Sequence, residues 1–213
     1  MKRFGVLFAL LILLSLACGP NISLPGNRDI SPTPGSKKVS STLPASQATV
    51  EISATPAGVK MGDIVRCDEC GFSFKQIPGY QMSTFGMIED IATPDADPDN
   101  GPRVQLIGGA AKPGLTMTVL MTSVKGLDND SPGFALSNQK NIKVGGVDAV
   151  SVDVKYTFHN TAVKGRRVGV LVKSKQILMM FAVAPVDKWD KMSPYVDALV
   201  NSMSFFDPKP SSP

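Results

Sequence analysis

The stretch from Gly19 to Lys60 holds no Phe, Tyr or Trp and is dense in Ser, Thr, Pro and Ala, as in Ser31-Pro32-Thr33-Pro34-Gly35-Ser36. A segment of that composition cannot bury enough apolar surface to offset the entropy lost on ordering it. Any packed core is therefore confined to the residues that follow. Residues 18–61 read as a Ser/Pro/Thr-rich disordered tether whose job is spacing. A flexible chain of that length has an end-to-end distance of about 40 Å, and prolines extend it further. Residues 62–207 are long enough for one domain, and 208–213 form a polar tail.

Ahead of the tether come Met1-Lys2-Arg3, an apolar run from Phe4 to Leu14, and Ser15-Leu16-Ala17-Cys18. As a helix, Phe4 to Ala17 would span about 21 Å, short of the roughly 30 Å of a bilayer core. Two basic residues, a short apolar segment and small residues before a cysteine resemble a bacterial lipoprotein signal peptide with its lipobox. Ser15 stands where the commonest lipobox has Leu. The resemblance implies a signal peptide over 1–17, cleavage before Cys18, and acylation of that thiol and of the new amino group by palmitate-like chains. It places the mature protein on the extracytoplasmic face of a cell membrane. One C14 chain binds marginally, at ~0.8 kcal/mol per buried CH₂, whereas two or three make residence effectively permanent. Ordinary secretion and an uncleaved anchor are the alternatives.

Charge excludes one class of partner. Lys and Arg number 22 against 18 Asp and Glu, a net +4, and loss of Lys2 and Arg3 with the signal leaves +2. So balanced a chain gives no support to nucleic-acid binding.

With Cys18 assigned to the anchor, Cys67 and Cys70 remain, in a compartment that does not reduce thiols. Cys67-Asp68-Glu69-Cys70 reads best as a short structural disulfide. A redox pair opens a helix, whose N-terminus lowers the thiol pKa; here two carboxylates intervene, and Gly71 and a strand follow. A zinc site asks for four ligands, and the chain offers one Cys pair and a lone His159. Redox chemistry, zinc and free thiols stay open as alternatives, but no metal and no cofactor is expected.

Other candidates read as structure. Asp95-Ala96-Asp97-Pro98-Asp99-Asn100-Gly101 has neither Gly at position six nor Glu at twelve of a calcium loop, and suits an acidic turn. Lys164-Gly165-Arg166-Arg167 suits a solvated hairpin tip, with anionic headgroups as the alternative contact. His159 has no nucleophile motif around it, and Trp189 suits packing under the last helix. No catalytic residue is expected.

Phe72-Ser73-Phe74 reads as a first strand, Met87 to Ile91 as a second and Arg103 to Ile107 as a third. Residues 116–125 mix β-branched residues with helical spacing and lean to helix. Ile142-Lys143-Val144, then Asp148 to Phe158, Arg166 to Lys173 and Gln176 to Ala184 read as strands, the last buried on both faces. Ser193-Pro194 reads as the N-cap and first turn of a closing helix with Val196, Leu199, Val200 and Met203 on one stripe. The pattern is α+β, a central antiparallel sheet flanked by helices.

Gly71-Phe72-Ser73-Phe74 with Pro78-Gly79-Tyr80, Gly145-Gly146-Val147-Asp148-Ala149, and Ala184-Pro185 with Trp189 and Ser202-Met203-Ser204-Phe205 together resemble PsbP-like domains. The resemblance spans about 70–207 and implies an α/β/α sandwich. That family includes extrinsic photosystem subunits and many bacterial lipoproteins, so fold leaves function open. The expected role is non-catalytic binding or scaffolding of an unknown envelope protein or ligand. A small-molecule or metal-binding lipoprotein, and a thiol redox protein, are the alternatives. Cys18→Ala is expected to abolish lipid labelling and to accumulate as uncleaved precursor; equal labelling of mutant and wild type would overturn the anchor.

Overall fold

The structure is a computed structural model that describes residues 59–97 and 100–209. The expected signal peptide, Cys18 and almost all of the expected tether lie outside the described residues, as do the last residues of the tail. In order, the elements are β1 (Ile64–Cys67), β2 (Phe72–Lys75), β3 (Gln81–Phe85), β4 (Ile88–Asp97), β5 (Gly101–Ala110), α1 (Met117–Gly126), β6 (Ala135–Val144), β7 (Val147–Phe158), β8 (Thr161–Val172), β9 (Gln176–Pro185), α2 (Val186–Ser202) and β10 (Ser204–Phe205). Seven strands form one antiparallel sheet in the order β3-β4-β5-β9-β8-β7-β6, and β1-β2-β10 form a second, small one.

Local chemistry explains the meander from β6 to β9. Gly145-Gly146, His159-Asn160 and Lys173-Ser174 each place two successive residues at positive φ, the backbone that a tight hairpin with the right twist requires. The register follows, with Val147 opposite Val144, Phe158 opposite Thr161 and Val172 opposite Gln176.

Strand period two then assigns two faces. On one lie Val104, Leu106, Ala149, Val168, Val170, Leu178, Met180 and Ala182, packed with Trp189, Met192, Val196, Leu199 and Val200 of α2 and with Phe72 and Phe74 of β2. On the other, Leu120, Met121 and Val124 of α1 cover Val152 and lean on Val150, Leu171, Ile177, Met179 and Phe181. The expected α+β sandwich, sheet between helices, is the architecture found.

Several expectations need correction. β1 and β3 were not expected; β1 alternates, with Val65 and Cys67 toward the core, but over only four residues, and every residue of β3 is exposed. α2 begins at Val186, not at Ser193, and Pro194 lies inside it. A helix-interior proline costs one hydrogen bond and a steric clash, and the burial of Trp189 and Met192 in the preceding turns offsets that cost. β9 is fully buried on the α2 side only; its other side chains are half-buried. Lys164 to Arg167 is mid-strand, and the turn before it is His159-Asn160. Residues 117–126 are helix, with Thr116 as N-cap accepting from the Val119 amide.

Arg167 is 1% exposed. Its Nη1 donates to the carbonyls of Val124, Lys125 and Leu127 at 3.0, 3.1 and 2.6 Å, and its Nη2 to Asp128 Oδ2 at 2.9 Å. It thus satisfies the orphan carbonyls at the C-terminal end of α1. Arg167→Leu strands those carbonyls and is expected to lower unfolding stability by roughly 3 kcal/mol, read as the shift in a urea midpoint. Arg167→Lys should recover only part, because one ammonium cannot span all four acceptors.

Candidate functional site

The α1 side of the large sheet is only half covered. On this side α1 lies mainly over β8, and its buried residues pack against side chains of β7, β8 and β9 rather than of β3, β4 or β5. The pairings Phe85–Ile88, Asp90–Gln105 and Ile88–Ile107 put Phe85, Ile88, Asp90, Arg103, Gln105 and Ile107 on this open face. Met87 joins them, since its Sδ lies where a side chain on Gly109 would point. Phe85 is 61% and Met87 49% exposed, while Ile88 and Ile107 are half-buried. Within this apolar strip Arg103 grips Asp90 through two parallel bonds, Nε–Oδ1 2.6 Å and Nη2–Oδ2 2.7 Å. Both groups are largely shielded, and such a fork is geometrically specific. The surface can therefore receive an apolar partner while keeping its one embedded charge pair neutralised.

Concave sites are modest. A cavity of about 220 Å³ lies between α1 and β6–β7, among Met117, Met121, Lys125, Gln139 and Val150. Another of about 320 Å³ is bounded by Tyr80, Pro102, Lys188, Lys191, Met192 and Tyr195. Burial, helped by Tyr195 and Asp95, pushes the Tyr80 phenol up. Such volumes are at or below the lower limit of drug-sized sites.

The third feature is the corner formed by the β1–β2 turn. Cys67 and Cys70 are joined by a disulfide. The turn closes through the Gly71 amide to the Cys67 carbonyl, 3.0 Å, and the Cys70 amide points at Cys67 Sγ, 3.3 Å. Gln176 Nε2 donates to the Cys70 carbonyl at 2.6 Å. Beside the sulfurs stands Glu89, only 3% exposed. A carboxylate oxygen of Glu89 and the two sulfurs all lie within 4.8 Å of one another. Thr84 Oγ1 donates to Glu89 Oε2 at 2.7 Å. Burial pushes the Glu89 carboxyl up, and the Thr84 bond only partly opposes it.

The remaining candidates disperse. Asp95 and Asp97 lie at the end of β4, and Asp97 Oδ1 accepts from the Asn100 amide at 3.0 Å; Pro98 and Asp99 of the expected acidic turn lie outside the described residues. His159 sits in the β7–β8 turn against Phe158. Trp189 is a core residue of α2. Arg166 joins Asp153 at 3.0 Å and also Asp197, tying β8 to β7 and α2. Sequence reasoning missed Glu89, Phe85 and Met87. Glu89 was findable: it lies two before Ile91 and so must share its inward face.

No family model matches the sequence, and no curated protein is found to match it. Solved structures do. LpqN, involved in cell envelope biogenesis of Mycobacterium tuberculosis, is similar with a TM-score of 0.55 at 15% identity, over 75% of this chain and 90% of that one. Cyanobacterial PsbP from Synechocystis is similar with a TM-score of 0.53 at 12% identity, over 72% of this chain and 98% of that one. The fold is PsbP-like. At these identities the likeness is one of fold alone, and the function of neither protein passes to this chain with it. Among the described residues no helix is long and apolar enough to cross a membrane.

Glu89 yields a pH prediction. A carboxyl whose pKa is raised on folding binds its proton more tightly in the native state, so stability falls as pH rises through the ordinary carboxylate range and levels off above the raised value. Glu89→Gln, in the disulfide-bonded protein, is expected to be more stable than wild type at pH 7 and to lose that advantage near pH 4. Urea midpoints at the two pH values check this, and equal midpoints at pH 7 would contradict it.

Proposed function

We propose that this is a lipid-anchored, extracytoplasmic domain with a non-catalytic scaffolding role at the cell envelope, binding an envelope protein through the open face of β3, β4 and β5. The observation that carries the reading is the uncovered apolar strip of Phe85, Met87, Ile88 and Ile107 around the Asp90–Arg103 pair. Exposed apolar surface rimmed by polar groups marks interaction sites. A protein partner suits it better than lipid or a small molecule. The face is flat rather than concave, and Gln81, Ser83 and Gln105 share it as rim hydrogen-bonding groups. The anchor expected at Cys18 supplies the location. The fold likeness to LpqN, itself tied to cell envelope biogenesis, is consistent with that setting.

The test is photocrosslinking in intact envelopes. A photoreactive residue at Gln105 is expected to give one discrete protein adduct, and the same residue at exposed Lys191 on α2 is not. Phe85→Asp with Met87→Asp should cut the Gln105 adduct at least about tenfold, the equivalent of ~1.4 kcal/mol of affinity. Because both side chains are exposed, unfolding stability should move by no more than about 0.5 kcal/mol. Equal adducts from Gln105 and Lys191, or adducts indifferent to the double substitution, would sink this reading.

A further inference from the structure

Glu89 is hard to account for as part of a core. It is 3% exposed, on the α2 side of β4 opposite Leu106. No basic side chain among the described residues forms an ion pair with it, and its hydrogen bond comes from the neutral hydroxyl of Thr84. A buried carboxylate is costly without a compensating cation. Two sulfur atoms stand beside it, and all three potential donors lie within 4.8 Å of one another.

We propose that Cys67, Cys70 and Glu89 form a redox-gated site for a thiophilic divalent cation of the Zn²⁺ class. This rests on different residues from the sheet face and stands or falls independently of it. In the oxidised chain the sulfurs are spent on each other and the site is closed. Because the bulk of an extracytoplasmic compartment does not reduce thiols, opening it takes an external dithiol delivered by a thiol–disulfide exchange protein. The Cys67–Cys70 S–S bond breaks, the dithiol is oxidised to its own disulfide, and its two electrons and two protons leave two thiols here. The cation then displaces both thiol protons to solvent, together with the carboxyl proton where Glu89 carries one.

The geometry suits such an ion. Zn–S bonds of about 2.3 Å in a tetrahedron put sulfurs roughly 3.8 Å apart, and a carboxylate oxygen binds at about 2.0–2.2 Å. Once the bond that now joins them is broken, the two sulfurs part to about that separation, and the Glu89 oxygen, already within 4.8 Å of both, closes on the ion. Two residues between cysteines in a tight turn is the spacing by which one ion takes both thiolates. The supporting contacts are already in place. The Cys70 amide points at Cys67 Sγ, and Thr84 holds one carboxylate oxygen, leaving the other to ligate. Two thiolates and one carboxylate select zinc-like ions over Ca²⁺ or Mg²⁺, which take oxygen ligands. Three protein ligands leave the fourth tetrahedral position for water.

The test uses the full chain in mild detergent, carrying Cys18→Ser so that only the two thiols in question remain. Co²⁺ is the spectroscopic probe and Zn²⁺ the competitor, with and without a phosphine reductant. The reduced chain is expected to bind one Co²⁺ with thiolate-to-metal absorption that Zn²⁺ abolishes, and the oxidised chain none. Glu89→Gln should weaken binding at least about tenfold. Should reduction unfold the chain, Zn²⁺ is expected to restore its near-ultraviolet circular dichroism, because the binding free energy of such a site is folding free energy. No stoichiometric binding by the reduced chain, whether folded or unfolded, would overturn the site. So would Glu89→Gln binding as tightly as wild type, or binding undiminished by oxidation.

Discussion

The two sheets of this domain touch where Gly108 has no side chain. A Cβ there would lie 2.6 Å from a ring carbon of Phe72 and 2.8 Å from the Cβ of Cys70, closer than real contacts allow. The glycine lets β2 and the turn before it sit directly on β5. Gln176 fastens the same turn from β9 through the Cys70 carbonyl. Gly71, at positive φ, leaves room for the Gln176 amide, which a Cβ would meet at 2.4 Å. β10 then closes the small sheet on the far edge of β2, and the Phe206 amide donates to the Gly71 carbonyl. The neighbourhood of the two sulfurs and Glu89 is a consequence of this docking: Glu89 pairs with Leu106, two residues before Gly108 on the same face of β5.

The two faces of the large sheet are covered unequally for a geometric reason. Seven strands about 4.8 Å apart make a sheet nearly 30 Å wide, while one helix with its side chains is 10–12 Å across. On one face the 17-residue α2 is joined by the small sheet, and together they bury it. On the other, the 10-residue α1 works alone apart from Phe134, which packs toward Val154, Tyr156 and Val163. A strip three strands wide is left over, where exposed Phe85 and Met87 and half-buried Ile88 and Ile107 are interleaved with polar side chains and a neutralised ion pair. A sheet face with no functional reason to stay open would be expected to alternate toward charge.

How much of this was legible in the sequence depended on whether each element carried its own pattern. β7 alternates cleanly from Val150 to Phe158, and the α2 stripe of Val196, Leu199 and Val200 is strong, so both were readable. The antiparallel α+β class followed from them and from the Gly145-Gly146 turn. β1 gave little signal because its alternation runs for only four residues, and β3 gave none because every one of its residues is exposed. The start of α2 was misplaced because Ser193-Pro194 imitates a helix opening, whereas the actual helix is held from Val186 by the tertiary burial of Trp189 and Met192. Cys67 and Cys70 were visible as a pair by spacing. Glu89 was not recognised beside them, since that proximity joins β4 to the β1–β2 turn through contacts no local window contains.

The most instructive misreading is Lys164-Gly165-Arg166-Arg167, because its resolution explains why the open strip stays open. A run of basic residues looks solvated, yet successive residues of a strand face opposite sides, and these two arginines are used as paired anchors. Arg166 reaches Asp153 and Asp197 and ties α2 to the sheet on one face. Arg167, one residue on, reaches through the other face to the end of α1 and to Asp128. Both helices are thereby fastened to the same level of β8. The contact also requires a small neighbour: a Cβ at Gly169, next on that face, would meet Met121 Sδ at 2.6 Å, so α1 sits closest to the sheet there. A helix fixed at its C-terminal end by a buried guanidinium and seated over a glycine cannot slide toward β5 without exposing that charge to an apolar environment lacking acceptors. The coverage of this face is thus set by Arg167 rather than by the apolar area available, and Phe85, Met87, Ile88 and Ile107 remain beyond the helix's reach.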